Sequence, residues 1–243
     1  MKCLILAAGY ATRLYPLTEN FPKPLLEVGG KTILDWLIDD IETAGLVDEY
    51  VVISNHKFAA HFENWAAGRG EKITVVDDGT STNETRLGAV KDIQFAMEAL
   101  DIDDDMLVIA GDNLLDFSLT GFIDYAVQKQ ASCLMRFYEE DEAKLLKCGV
   151  VTIDQDDRIL QMTEKSPNPA THWCCPPFYY YTKADGRLVA KGIEAGCGTD
   201  APGSYMAWLS QQTKVYAMEM PGKRYDIGNL ESYRAVQEEY HGI

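Results

Sequence analysis

As far as Ala110 the chain alternates short apolar runs with amphipathic segments, and this alternation limits what it can fold into more than any other feature. Lys2 to Leu6 reads as a buried strand. Thr32 to Ala44 reads as a helix, with Leu34, Leu37, Ile38 and Ile41 at helical spacing and Gly45 where a C-terminal cap belongs. Tyr50 to Ile53 and Ile73 to Val76 follow as strands, Lys57 to Ala67 and Ala89 to Leu100 as helices, and Met106 to Ala110 as a fourth strand. Parallel strands need crossover connections, and helices are the usual ones, so the pattern predicts an α/β fold with a largely parallel sheet and helices on both faces. Ligands of such sheets bind at the carboxyl ends of the strands.

Beyond Gly121 the alternation loosens. Cys133 to Phe137, Gly149 to Ile153, Ile159 to Thr163, Phe178 to Tyr181 and Lys214 to Glu219 read as strands, with Asp154 to Asp157 as a hairpin turn. Ala184 to Ala195, Ser204 to Gln211 and Leu230 to Tyr240 read as helices. No linker interrupts the chain, so residues 1–243 are expected to form one domain, with a soft boundary near residue 115 between an earlier part and a later one that completes the sheet.

The loop after the first strand carries chemistry. Leu6-Ala7-Ala8-Gly9-Tyr10-Ala11-Thr12-Arg13-Leu14-Tyr15-Pro16-Leu17-Thr18, followed by Pro22-Lys23-Pro24-Leu25-Leu26, places small residues beside two cations. Small residues let backbone N–H groups approach an anion and form a concave nest for it. Arg13 offers a fork suited to phosphate and Lys23 a mobile point charge. The formal net charge of −16 argues against a broad nucleic-acid surface and requires the few cations, or a divalent metal, to be concentrated where an anionic ligand binds. The six cysteines show no C-x-x-C spacing, so free thiols are expected. The apolar start is too short for a membrane span and lacks a cleavage pattern, which predicts a cytoplasmic protein without a membrane partner.

Two acids are candidates for metal binding. Asp112, in Ala110-Gly111-Asp112-Asn113, ends the most apolar strand, and Asp226, in Arg224-Tyr225-Asp226-Ile227-Gly228, precedes a helix. Each has a plain structural alternative, a turn residue for the first and a helix-entry aspartate for the second. Together with phosphate oxygens and water, two carboxylates are enough for Mg²⁺.

The ordered set of motifs resembles the sugar-1-phosphate nucleotidylyltransferase (nucleotidyltransferase family 2) superfamily, from residue 1 to about residue 236. The resemblance rests on the Leu6 to Thr18 opening, Pro22-Lys23-Pro24-Leu25, Gly111-Asp112, Gly149-Val150-Val151, Glu164-Lys165 and Tyr225-Asp226-Ile227-Gly228. It implies a Rossmann-like, mostly parallel mixed sheet with a small acceptor-binding β subregion, and Mg²⁺-dependent condensation of a nucleoside triphosphate with a sugar 1-phosphate, releasing pyrophosphate. The nucleotide part would cover about residues 1–115 and the acceptor part about 116–243. On this resemblance Asp112 and Asp226 hold Mg²⁺ at the α-phosphate, Arg13 meets the β- and γ-phosphates, and Lys23 lies near the α-phosphate, so that Arg13, Lys23 and Asp112 are the catalytic set. Leu6, Ala8, Gly9, Tyr10, Ala11, Thr12 and Arg13, with Asn83 and Gly88, are the expected nucleotide-binding residues. Lys165 would grip the acceptor phosphate and Glu164 a sugar hydroxyl, with Asn113, Gly149 and Tyr179 completing the acceptor set.

The sequence departs from the family at several points. Ala11 stands where the family usually has glycine, and Asn83-Glu84-Thr85-Arg86-Leu87-Gly88 replaces a glutamine-led segment that reads the base in relatives, leaving the nucleotide open. The run Trp173 to Tyr181 reads either as a core strand or as a platform for a sugar or a quaternary ammonium, so CTP-dependent activation of phosphocholine or a phosphonate stays an alternative. A catalytically silent nucleotide or sugar-phosphate sensor is the reading from another class. Self-association is open, and no second activity is expected. The four histidines, His56, His61, His172 and His241, are scattered and are expected to serve packing or surface roles.

Overall fold

The computed structural model describes residues 1–70 and 72–243. Along the chain lie β1 (Lys2–Leu6), β2 (Glu27–Val28), β3 (Lys31–Thr32), α1 (Ile33–Thr43), β4 (Glu49–Ser54), α2 (Ala59–Ala67), β5 (Ile73–Asp77) and α3 (Ala89–Ala99). Then come β6 (Met106–Ala110), β7 (Asn113–Leu115), α4 (Thr120–Lys129), β8 (Ser132–Tyr138), α5 (Glu142–Leu145), β9 (Gly149–Ile153) and β10 (Ile159–Glu164). The remainder is β11 (Trp173–Cys175), β12 (Phe178–Tyr181), α6 (Lys183–Gly186), α7 (Val189–Glu194), α8 (Gly203–Leu209), β13 (Val215–Glu219), β14 (Arg224–Asp226) and α9 (Leu230–Glu239).

These elements form two compact units, one of Met1–Arg86, Ala110–Gly121 and Pro221–Ile243, the other of Leu87–Ile109 and Phe122–Met220. The units are interleaved along the chain, where the sequence suggested consecutive parts meeting near residue 115. The reason is a buried cluster in the first unit. Leu14 and Leu26 of the opening loops, Leu114 of β7, Ile227 after β14, and Tyr233, Val236 and Tyr240 of the closing segment pack together, so residues 221–243 join the beginning of the chain. Hydroxyls fix the same association: Tyr233 donates to the Glu27 carbonyl at 2.7 Å and Tyr240 to that of Leu115 at 2.9 Å.

In the first unit β1 pairs with β4 and β4 with β5, all parallel, as the alternation requires. Helix α1 starts in a capping box. Thr32 accepts from the Asp35 N–H at 3.0 Å, and the Asp35 carboxylate accepts from the Thr32 N–H at 3.1 Å. It ends where Gly45 takes φ +64°, and it buries Leu34, Leu37, Ile38 and Ile41, the residues picked out by spacing.

The second unit is built around β8, flanked by β12 and β11 antiparallel and by β13 parallel, with β9 and β10 extending the antiparallel side. Phe178 to Tyr181 are all buried, which makes the aromatic run a core strand. One expected helix divides. Residues 184–195 form α6 and α7, because Thr182 caps a short first turn and the backbone at Gly186 passes so close to Met106 that a Cβ there would lie 2.7 Å from its Cε. The six cysteines are free thiols. Among the described residues no helix is long and apolar enough to cross a membrane.

Candidate active site

In the first unit the chain leaves β1 and stays extended through Ala7, whose N–H donates to Ile53 at 2.9 Å, while the Asn55 side chain donates to the Ala8 carbonyl at 2.9 Å. Gly9 is exposed, with open space where a Cβ would stand. Ala11 then takes the left-handed conformation at φ +45°, and its carbonyl accepts from the Leu14 N–H at 2.9 Å and the Thr18 hydroxyl at 2.8 Å. That conformation gives a physical reason for the glycine usual at this position, since a Cβ strains it. The turn leads into a short 3₁₀ segment, Thr12–Leu14, that leaves Arg13 exposed; among the described residues nothing hydrogen-bonds or ion-pairs with its guanidinium. Tyr10, between exposed Gly9 and half-buried Ala11, is buried, its hydroxyl donating to the Thr80 carbonyl at 3.3 Å.

Asp112 follows Gly111, whose N–H donates to the Leu6 carbonyl at 3.0 Å and whose missing side chain makes room for Ile5. The carboxylate accepts from Lys23 Nζ at 2.7 Å. Burial pushes the Asp112 carboxyl up, but the Lys23 ammonium, with Arg224 further off, outweighs it and holds the group below the usual aspartate value. Lys23 is itself 8% exposed, a buried cation satisfied by that one carboxylate.

Asp226 reaches the same place from late in the chain. β14 pairs antiparallel with β7, setting Asp226 opposite Asn113, the neighbour of Asp112. The Asn113 amide donates to Asp112 Oδ1 at 3.1 Å and its oxygen accepts from Arg224 Nη1 at 2.9 Å; that same nitrogen lies 3.9 Å from Asp226 Oδ1. Asn113, expected on the acceptor side, is buried within the first unit, and its side chain joins Asp112 to Arg224. Among the described residues no three His, Cys, Asp or Glu side chains gather as a metal cage. A divalent ion here would have two hard carboxylates and would draw the rest of its shell from phosphate oxygens and water, a donor set that suits Mg²⁺.

Asn83 lies on an exposed turn, where its carbonyl accepts from Arg86 Nη1 at 2.9 Å. The added cation of this loop thus braces the turn. His56 hydrogen-bonds Asp77 at 2.6 Å on the surface.

The second unit carries the remaining candidates. Glu164 ends β10 directly opposite Gly149 on β9. Burial pushes its carboxyl up; Lys165 lowers it and Asp200 raises it further. Among the described residues no hydrogen bond reaches that carboxyl. Lys165 adopts φ +48°, donates its N–H to Cys148 at 3.0 Å, and places its ammonium 3.7 Å from Asp200. The Tyr179 ring belongs to the core at 2% exposure, stacked on Tyr181, and burial pushes its hydroxyl up, with Glu164 adding to the effect. Gly88 precedes α3 at φ +91°. Asn55 and Arg224 take part in these arrangements without a signal of their own in the sequence. Arg224 stands in a motif that points to its aspartate alone, and Asn55 meets the Ala8 carbonyl from 47 positions away.

The nucleotidyl transferase family model matches residues 2–242. The bifunctional protein GlmU of Methanocaldococcus jannaschii is 29% identical over 233 residues, 94% of this chain and 51% of that protein. The UTP–glucose-1-phosphate uridylyltransferase AglF of Haloferax volcanii is 28% identical over 188 residues, covering 76% of this chain and 73% of the relative. The chain spans about half the length of the bifunctional relative it matches. The fold is shared with apo UDP-glucose pyrophosphorylase, at a TM-score of 0.83 and 20% identity, with 98% of this chain and 97% of that one covered. With a family model matched over nearly every residue, the chain belongs to the nucleotidyl transferase family.

Proposed function

We propose that the protein is a Mg²⁺-dependent nucleotidylyltransferase that condenses a nucleoside triphosphate with a hexose 1-phosphate, giving a nucleotide sugar and pyrophosphate. The observation that carries this reading is the Lys23, Asp112, Asn113, Arg224 and Asp226 network beside a small-residue loop bearing an unengaged Arg13. The reaction joins one phosphate oxygen of the acceptor to the α-phosphorus and breaks the bond to the β-phosphate oxygen, so its barrier is chiefly electrostatic and positional. Asp112 and Asp226 would hold Mg²⁺, which when bound neutralises phosphate charge. Arg13 would meet the outer phosphates and stabilise the departing pyrophosphate, the N–H groups from Ala8 to Thr12 would line the phosphates, and Lys23 would turn from Asp112 toward the α-phosphate. Lys165 would take the acceptor phosphate and Glu164 a hydroxyl. The fold needs no covalent nucleophile for this.

The burial of Phe178 to Tyr181 in the core leaves those rings no open face for a quaternary ammonium or for a sugar, so the aromatic run does not choose the acceptor. What supports a hexose 1-phosphate is the AglF relative, by name a UTP–glucose-1-phosphate uridylyltransferase. The deciding experiment is a matrix of pyrophosphate release, with each of the nucleoside triphosphates tested against hexose 1-phosphates, phosphocholine and a phosphonate in Mg²⁺. Release with a hexose 1-phosphate supports the reading; release with phosphocholine alone replaces the acceptor, and binding without any release makes the protein a sensor.

A further inference from the structure

The turn before α8 touches the acceptor residues at two points. A Cβ on Gly203, the first residue of α8, would collide with Oε2 of Glu164, and one on Gly149 would lie 2.6 Å from the same oxygen. Glu164, without a hydrogen bond to fix it, therefore lies in a slot whose two walls are glycines from separate elements, with Met162 Cε 3.2 Å from each Cβ position. Three residues before Gly203, Asp200 pairs with Lys165. The turn is fixed from behind as well. Helix α3 has no side-chain cap, and its first N–H groups are satisfied by this turn, Ala89 donating to Asp200 at 3.2 Å and Val90 to Thr199 at 3.0 Å. Gly88 lies so close that a Cβ there would be 2.6 Å from the Thr199 carbonyl oxygen.

We propose that the Asp200–Gly203 turn is the positioning element of the acceptor site, with Gly203 reserving the space in which the Glu164 carboxyl lies and Asp200 restraining the Lys165 ammonium. The inference rests on reading Glu164 and Lys165 as the residues that bind the acceptor. Asp200 also keeps the isolated Lys165 charge oriented until an acceptor phosphate replaces it. Filling the slot should cost the fold little, because the atom displaced is the far end of a flexible side chain. It should cost the acceptor a great deal, because the carboxyl then points elsewhere.

The test compares wild type with Gly203→Ala and Asp200→Asn, first without ligand. In a carboxyl-carbon NMR titration, Glu164 of the wild type should titrate above the ordinary glutamate value of about 4.3. Gly203→Ala should bring it down toward that value as the carboxyl moves into solvent, and Asp200→Asn should lower it by removing a neighbouring negative charge. An unchanged Glu164 titration in Gly203→Ala overturns the proposal. The second arm uses UTP and glucose 1-phosphate. Gly203→Ala should raise KM for glucose 1-phosphate roughly tenfold to a hundredfold, leave KM for UTP unchanged, and add no further penalty in a Glu164→Ala background. Equal penalties in both backgrounds, or a parallel rise in KM for UTP, overturn it. If the wild type turns over no nucleoside triphosphate with any hexose 1-phosphate, the functional reading fails, while the ligand-free titration still decides on the turn; if another pair is turned over, the second arm uses that pair.

Discussion

Asp112 has an ammonium at 2.7 Å and an amide at 3.1 Å, and Asp226 an arginine at 3.9 Å, whereas Glu164 has no hydrogen-bond partner among the described residues and lies in the space that two glycines leave open. The first unit holds its acids by charge and the second by space. The difference follows from what each would bind. On the proposed reading Asp112 and Asp226 would hold a cation, and Lys23 beside the one and Arg224 near the other balance their charge in its place. A carboxyl meant for a hydroxyl needs orientation more than charge, and a partner on the protein would compete with the ligand.

The comparison can be broken most directly at Asp112. Asp112→Asn keeps the shape and removes the charge, so turnover in Mg²⁺ should fall on the order of a hundredfold to a thousandfold while circular dichroism shows a folded protein. Near-normal turnover would mean that charge is not what the first unit supplies. Ile227, fully buried in the cluster that brings β14 to β7, tests how the acids are brought together. Ile227→Ala should destabilise by about 2–5 kcal/mol in denaturant titration and weaken Mg²⁺ dependence with it. Lost stability with an unaltered Mg²⁺ response would show that the strand pairing holds without the cluster.

A pH series sharpens the charge half of the comparison. The folded carboxyl of Asp112 lies below its unfolded value, so its pairing contributes stability above an unfolded value of about 3.9 and that contribution is lost as pH falls through the folded one. Lys23→Met removes the partner. The stability gap between wild type and variant should be constant near neutrality and shrink in acid; a gap independent of pH would assign it to lost packing. The smallest effect concerns Ala11, the one place in this loop where the first unit holds a side chain in a conformation suited to glycine. Ala11→Gly should relieve strain by at most about 1 kcal/mol, offset in part by added chain entropy, and read as a melting temperature equal to or slightly above wild type.

Much of this was legible because local periodicity and loop chemistry report themselves. The strands of the first unit, the helix from Ile33 to Thr43 and the small-residue loop after β1 each show in a run of adjacent residues. Strands β7 and β14 are three residues long, too short for any alternation to be seen, yet they set Asp226 opposite Asn113, the neighbour of Asp112. Helix α4 was passed over although Phe122, Ile123 and Ala126 form its buried face, because the weaker patterning beyond Gly121 favoured strands. The bond between Asn113 and Arg224 joins residues more than a hundred positions apart and leaves no mark in either neighbourhood. The contact of Gly203 with Glu164 is equally invisible in sequence, since it lies in the oxygen that occupies the volume the glycine leaves free.

The late arrival of residues 221–243 in the first unit has a consequence for biosynthesis. While the polypeptide is still emerging from the ribosome, the early parallel strands can form, but Leu14, Leu26 and Leu114 remain uncovered until Ile227 and the closing helix are translated. A nascent chain therefore exposes a sticky apolar surface for most of its synthesis, a state in which chaperones would have reason to engage it, and gains its second acid only at the moment that surface is covered.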